Sequence, residues 1–349
     1  MRQVRVEDAV GQVLCHDMTQ IIPGKSKGPR FRKGHVVKPE DIPVLLSMGK
    51  RNLYVFELAP GQLHENDAAE RLAALCVGPG CERAGGPSEG KIGIRATRDG
   101  VLLVDSEHLV AVNSCDEVMV ATRRGNFGVR AGDMLAGTRV IPLVVGEKVV
   151  ETAERAAAGG PLLRVEPYRV RTAAVVATGS EVASGLIEDA FTPVIESKLA
   201  DYGVEVTCRS TPGDDPACVE AAIREAVSSG CGMVVCTGGM SVDPDDNTPG
   251  AIKRAGARIV TYGSPVLPGA MLLVGYFDET GADGIVTRSV PVLGVPGCAM
   301  YNKATVLDLV LPRVAASVPL AKADFVELGE GGLCLGCSPC TFPHCPFGR

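Results

Sequence analysis

The chain has 349 residues, a formal net charge of −6, 42 glycines, 24 prolines, 13 cysteines and no tryptophan. That length allows two or three domains with sizeable aliphatic cores, and the acidic balance argues against a generic nucleic-acid binder. No run of about 18 apolar residues offers a membrane span, and the opening Met1-Arg2-Gln3-Val4-Arg5 lacks the apolar stretch of a secretory signal, so a cytoplasmic protein is expected.

Residues 1–150 read as β-rich, in short Val/Leu/Ile runs broken by glycine, as at 51–56, 100–104 and 139–145. Pro39 followed by Glu40 and Asp41 predicts a helix over 39–49, because a proline and acids suit a helix N-terminus. The Gly/Pro-rich stretch 77–90 reads as a loop or linker, separating an α+β region at 1–76 from a β-rich subdomain at 91–150. A helix over 151–158 ends at Gly159-Gly160-Pro161. Strands are then expected at 173–177, 204–208, 233–236 and 292–295, alternating with helices at 188–202, 215–229, 248–255 and 299–316. This alternation predicts a three-layer α/β domain over 171–316, with a parallel sheet covered on both faces. Two apolar stripes at near-helical spacing (Ile187, Phe191, Val194, Ile195, Leu199; Val219, Ala222, Ile223, Val227) read as core packing. Residues 317–349 are expected to form an extended tail with its own local stabilisation.

Three glycine-bearing turns fall at the ends of predicted strands: Thr178-Gly179-Ser180-Glu181, Thr237-Gly238-Gly239-Met240-Ser241 and Pro296-Gly297-Cys298. In a parallel sheet such turns converge on one edge, where ligands bind in open α/β folds. Backbone N–H groups at the edge suit an anion such as phosphate, and Thr178, Ser180, Thr237 and Ser241 add hydroxyls. The acidic run Asp243-Pro244-Asp245-Asp246 follows the second turn. Its carboxylates suit a divalent cation such as Mg²⁺, which makes Asp245 and Asp246 candidate catalytic residues. The same run also suits a solvated turn that caps a helix at Thr248.

The span from about 172 to 316 resembles the molybdopterin-binding domain of molybdenum-cofactor biosynthesis proteins. The resemblance rests on Thr178-Gly179-x-Glu181, Gly185 and Ile187, Asp214-Asp215, Thr237-Gly238-Gly239-x-Ser241, Pro268-Gly269 and Val295-Pro296-Gly297. Segments Val6 to Val13 and Lys33 to Val55 are similar to the opening of molybdopterin molybdotransferases. The resemblance implies a phosphorylated pterin, molybdopterin, held across the three turns, and molybdate insertion as the enzymatic form. It also implies a homo-oligomer and a molybdoenzyme or cofactor-biosynthesis partner. Ser180, Ala270 and Cys298 stand where the family usually carries Asp, Lys and Asn. Pro244-Asp245-Asp246-x-Thr248 is more similar to the CinA-type domain, which acts on nucleotides. A non-catalytic cofactor carrier or sensor and a nucleotide pyrophosphatase are therefore the alternative readings.

In the tail, Cys334-x2-Cys337-x2-Cys340-x4-Cys345 places four thiols within twelve residues. Four thiolates are a full set for Zn²⁺ or for one iron–sulfur cluster. The remaining cysteines read as reduced, mostly buried thiols. His16, His35, His64 and His108 are dispersed, and none forms a ligand pair by spacing.

Overall fold

The structure is a computed structural model of the chain. It describes residues 2–348 except Pro23, Lys25, Phe56, Glu57, Val242, Pro244 and Asp245, and only the backbone of Ser26. The chain divides into two compact units. One comprises Met1–Arg98, Leu103–Arg123 and Arg130–Val165; the other comprises Asp99–Leu102, Arg124–Val129 and Glu166–Arg349.

In the first unit an antiparallel sheet runs in the order Cys81–Arg83, Lys91–Ala96, Met134–Val140, Val118–Thr122. The helix Glu65–Cys76 buries Leu72 together with Ala68, Ala69 and Ala73, small residues that let it lie close against the two central strands. A separate N-terminal core gathers Val6, Leu14, Phe31, Leu45 and Leu53. The helix expected over 39–49 spans Asp41–Ser47, and that expected over 151–158 spans Glu147–Ala156. Residues 77–90 are not a linker. Cys81–Arg83 is a strand of the sheet, and a Cβ on Gly78 would lie 2.2 Å from the Leu163 carbonyl oxygen. Gly78 and Gly80 serve close packing, and 1–76 falls in one unit with 91–98, 103–123 and 130–150.

The second unit is built on strands β1 (Thr172–Ala177), β2 (Glu205–Ser210), β3 (Met233–Thr237), β4 (Arg258–Tyr262), β5 (Leu273–Thr280) and β6 (Val286–Val295). Its helices are α1 (Ser180–Ala183), α2 (Phe191–Ala200), α3 (Pro216–Ser228), α4 (Thr248–Arg254), α5 (Cys298–Tyr301), α6 (Val306–Ala315) and α7 (Lys322–Glu327). The sheet order is β2-β1-β3-β6-β5-β4. The first four strands are parallel, while β5 and β4 run antiparallel to their neighbours, so the sheet is mostly rather than wholly parallel. The three layers are present. Val175, Val235 and Leu293 pack against Ile195, Leu199 and Leu311 on one face, and Val234 and Val292 pack against Val219, Ile223 and Ile252 on the other. Alternate residues of each buried strand thus feed opposite cores.

Three expectations are corrected here. Ile187 is 57% exposed and precedes α2, so it is not part of the core stripe. The helix expected over 299–316 is two helices, because Thr305 and Asp308 form a capping box that starts α6. The tail is not merely extended. It carries α7, buries Phe325 and returns Phe347, 2% exposed, to the core.

Candidate functional site

The register fixes the geometry of the edge. Ala177 pairs with Thr237, and Thr237 pairs with Val295, so β1, β3 and β6 end abreast. The three glycine-bearing turns leave from these adjacent strand ends and form one continuous rim.

Local packing holds the rim. The Thr178 N–H donates to the Thr237 carbonyl at 2.8 Å, and the Thr178 hydroxyl donates to the same oxygen at 3.2 Å. The Thr178 and Thr248 hydroxyls lie 3.2 Å apart, and the Thr248 N–H donates to the Gly239 carbonyl at 3.2 Å. Gly238 and Gly239 both have positive φ. A Cβ on Gly238 would stand 2.3 Å from the Thr178 carbonyl oxygen, and one on Gly239 would stand 2.8 Å from the Thr248 hydroxyl. The glycine pair is therefore required first by the neighbouring turn.

The side chains at the rim divide by burial. Thr178 and Thr237 are buried, whereas Ser180, Glu181, Ser241 and Gly297 are exposed. The Thr178 hydroxyl is taken up by the fold. The Thr237 hydroxyl, on the strand face shared with Met233 and Val235, has no hydrogen-bond partner among the described residues. Met240 turns inward against Gly294, so its main chain, not its side chain, belongs to the rim. A Cβ on Gly297 would meet only the Phe191 ring edge at 3.6 Å, so open space lies above the third turn. Pro296 and Cys298 flank it half-buried, and burial pushes the Cys298 thiol pKa up. Asp214 accepts from the Ser180 N–H at 2.7 Å, while Asp215 caps α3 through the Ala217 and Cys218 N–H groups. The acidic pair thus orients the first turn and starts a helix.

Of the two candidate catalytic carboxylates, Asp245 lies outside the described residues. Asp246 donates its N–H to the Asp243 carbonyl and its carboxylate accepts the Asp243 N–H at 3.3 Å. Tyr262, at the end of β4, donates its hydroxyl to the Met240 carbonyl at 3.1 Å. Burial and then the Asp246 charge raise its phenol pKa. Sequence reasoning missed Tyr262, because a tyrosine closing an unrecognised strand carries no local signal.

Of the cysteines before the tail, Cys15, Cys76, Cys81, Cys231 and Cys236 are buried, Cys115, Cys208 and Cys298 half-buried and Cys218 exposed. Cys236 is fully buried and its thiol is pushed up to about 12 by burial, as is that of Cys76. The tail cysteines Cys334, Cys337, Cys340 and Cys345 share the wall of one small cavity. Among the described residues, no three His, Cys, Asp or Glu side chains stand close enough together to hold a metal ion. Dispersal in sequence also hid a polar cluster in the first unit. His64 is fully buried, its Nδ1 lies 3.0 Å from Lys33 Nζ, and Cys15 Sγ lies 3.6 Å from His16 Nδ1.

A mostly parallel three-layer sheet with a glycine-rich rim at the ends of its strands defines an α/β ligand-binding domain. Residues 174–316 match the family described as "Probable molybdopterin binding domain", and this segment belongs to that domain family. It is a domain of molybdenum-cofactor biosynthesis proteins and CinA-like proteins. Residues 3–57 match "Domain of unknown function (DUF8806)". The chain is 34% identical over 85 residues to a molybdenum cofactor biosynthesis bifunctional protein of Synechococcus elongatus, covering 24% of this chain and 27% of that protein. It is 29% identical over 155 residues to a CinA-like protein of Mycolicibacterium gilvum, covering 39% and 36%. Among solved structures, the tungsten cofactor synthesizing protein MoaB of Pyrococcus furiosus is 20% identical, with a TM-score of 0.31 over 43% of this chain and 90% of that one. Among the described residues, no helix is long and apolar enough to cross a membrane.

Proposed function

We propose that the second unit binds molybdopterin, with its phosphate on the rim formed by Thr178–Glu181, Thr237–Ser241 and Pro296–Cys298. The observation that carries this reading is the register that sets Ala177, Thr237 and Val295 abreast. The open space over Gly297 and the exposed Ser180 and Ser241 on the same rim fit a polar ligand seated there. Equilibrium titration of the full chain with molybdopterin tests it. Saturable binding is expected, and Gly297→Leu should weaken it at least about tenfold by filling the cradle while leaving the thermal midpoint in place. Unchanged affinity in that variant would remove the third turn from the site.

Molybdate insertion is the finer reading. In it Asp245 and Asp246 hold Mg²⁺ or molybdate beside the pterin, and catalysis consists of positioning and electrostatics. Mixing the chain with molybdopterin, molybdate and Mg²⁺ should then give product that Asp246→Asn abolishes. Binding without product instead makes the protein a carrier or sensor in a cofactor-biosynthesis pathway. The CinA-like relatives and Pro244-Asp245-Asp246-x-Thr248 favour a second reading, a nucleotide pyrophosphatase. Release of phosphate from a nucleotide diphosphate by the same preparation would replace the first reading with it. The exposed Leu186 and Ile187 beside the first turn support a homo-oligomer, which sedimentation of the purified chain tests.

A further inference from the structure

The tail carries chemistry that ligand binding at the rim does not use. Cys334, Cys337, Cys340 and Cys345 are all free thiols, and all four line one cavity of about 20 Å³. Phe342 and Phe347 share its wall. The segment is pinned at both ends. The Cys334 N–H donates to the Leu267 carbonyl at 2.8 Å, and the Gly348 N–H donates to the Gly331 carbonyl at 2.9 Å. Phe347 is buried, and a Cβ on Gly348 would stand 2.3 Å from Leu309 Cδ2, so the closing turn is seated directly on α6. Cys334 and Cys345 are half-buried against the core, and packing accounts for them. Packing does not account for Cys337 and Cys340, which are exposed on the same loop.

We propose that these four cysteines bind one metal centre through four thiolates. The chemistry is shared by a single Zn²⁺ ion and by an iron–sulfur cluster. The cavity has room for one water-sized body, which suits a single ion; a cluster would need the exposed Cys337 and Cys340 loop to move outward. The sulfurs are too far apart for an ion as they stand, so loading turns the exposed Cys337 and Cys340 side chains inward. Each thiol gives its proton to water as its sulfur–metal bond forms. A cluster enters with its own iron and sulfide, and no electron is exchanged in either case.

The test is metal and sulfide analysis of the full chain purified without oxygen or chelator. One zinc per chain, or iron with matching acid-labile sulfide and the visible absorption of thiolate-bound iron, supports the site and says which centre it holds. The double variant Cys337→Ser, Cys340→Ser should lower the metal content by roughly tenfold or more. Cys218→Ser, exposed on α3, should leave it unchanged. Far-ultraviolet circular dichroism of the double variant separates loss of metal from loss of fold. Neither zinc nor iron in the unaltered chain, or metal retained by a folded double variant, overturns the proposal.

Discussion

At the scale of single residues, the Thr-Gly-Gly turn is constrained from within. Gly238 has φ +81°, and its missing Cβ leaves room for the Thr178 carbonyl. Gly238→Ala should cost roughly 3 kcal/mol, since a left-handed alanine and an overpacked contact each cost about 1–3 kcal/mol. Urea unfolding checks this, and a loss below about 1 kcal/mol would show that the turn shifts freely. His64 gives a pH signature. Burial first, and Lys33 second, lower its pKa. Its Nδ1 accepts from the Asn66 N–H and Lys33 Nζ, and its Nε2 faces the Cys15 carbonyl, so the neutral ring is already satisfied. The unfolded chain takes up the proton that the folded ring refuses. Stability of the first unit is therefore complete above about pH 6.5 and falls as the pH drops below it. His16, also lowered, adds in the same direction; Glu65, raised by burial, acts oppositely and loses stability as pH rises through its folded value. His64→Asn should flatten the slope of unfolding free energy against pH below about 6.5.

At the scale of elements, the Lys198–Asp308 pair ties α2 to the start of α6 at 2.5 Å, with side chains 13% and 12% exposed. Asp308 also accepts from the Thr305 N–H at 2.7 Å. Asp308→Asn leaves the Lys198 charge largely buried and should cost roughly 3 kcal/mol in chemical denaturation. A cost under about 1 kcal/mol would mark the pair as effectively solvated. The elements that form the rim were legible. β1, β3 and β6 are apolar runs that stop at Gly- or Pro-bearing turns, and a buried parallel strand needs no alternation. β5 was missed because Gly275 interrupts it, although Asp283-Gly284 marks the turn of the β5–β6 hairpin, where the Ile285 N–H donates to Asp283. The break before α6 was also written in Thr305-x-x-Asp308. Burial of the Thr178 and Thr237 hydroxyls was not legible, because it depends on cross-strand register that no single strand encodes.

At the scale of the whole molecule, the second unit does not begin where its sheet begins. It takes in 99–102 and 124–129, where Gly128 pairs with Val101 and the Leu102 N–H donates to the Phe127 carbonyl. Phe127 packs against the core of that unit and stands 6.2 Å from the Phe342 ring. Phe127→Ala should destabilise the second unit by about 2 kcal/mol, less than a fully buried phenylalanine because the ring is only partly covered. Hydrogen exchange of β3 and β6 would report it, and unchanged protection would place Phe127 outside the cooperative unit. Inheritance follows the same arrangement. A genetic crossover anywhere between 130 and 165 would hand the six-stranded sheet to a new gene without 99–102 and 124–129, the two earlier segments that belong to its unit, so the two units are expected to descend together rather than to shuffle as independent modules.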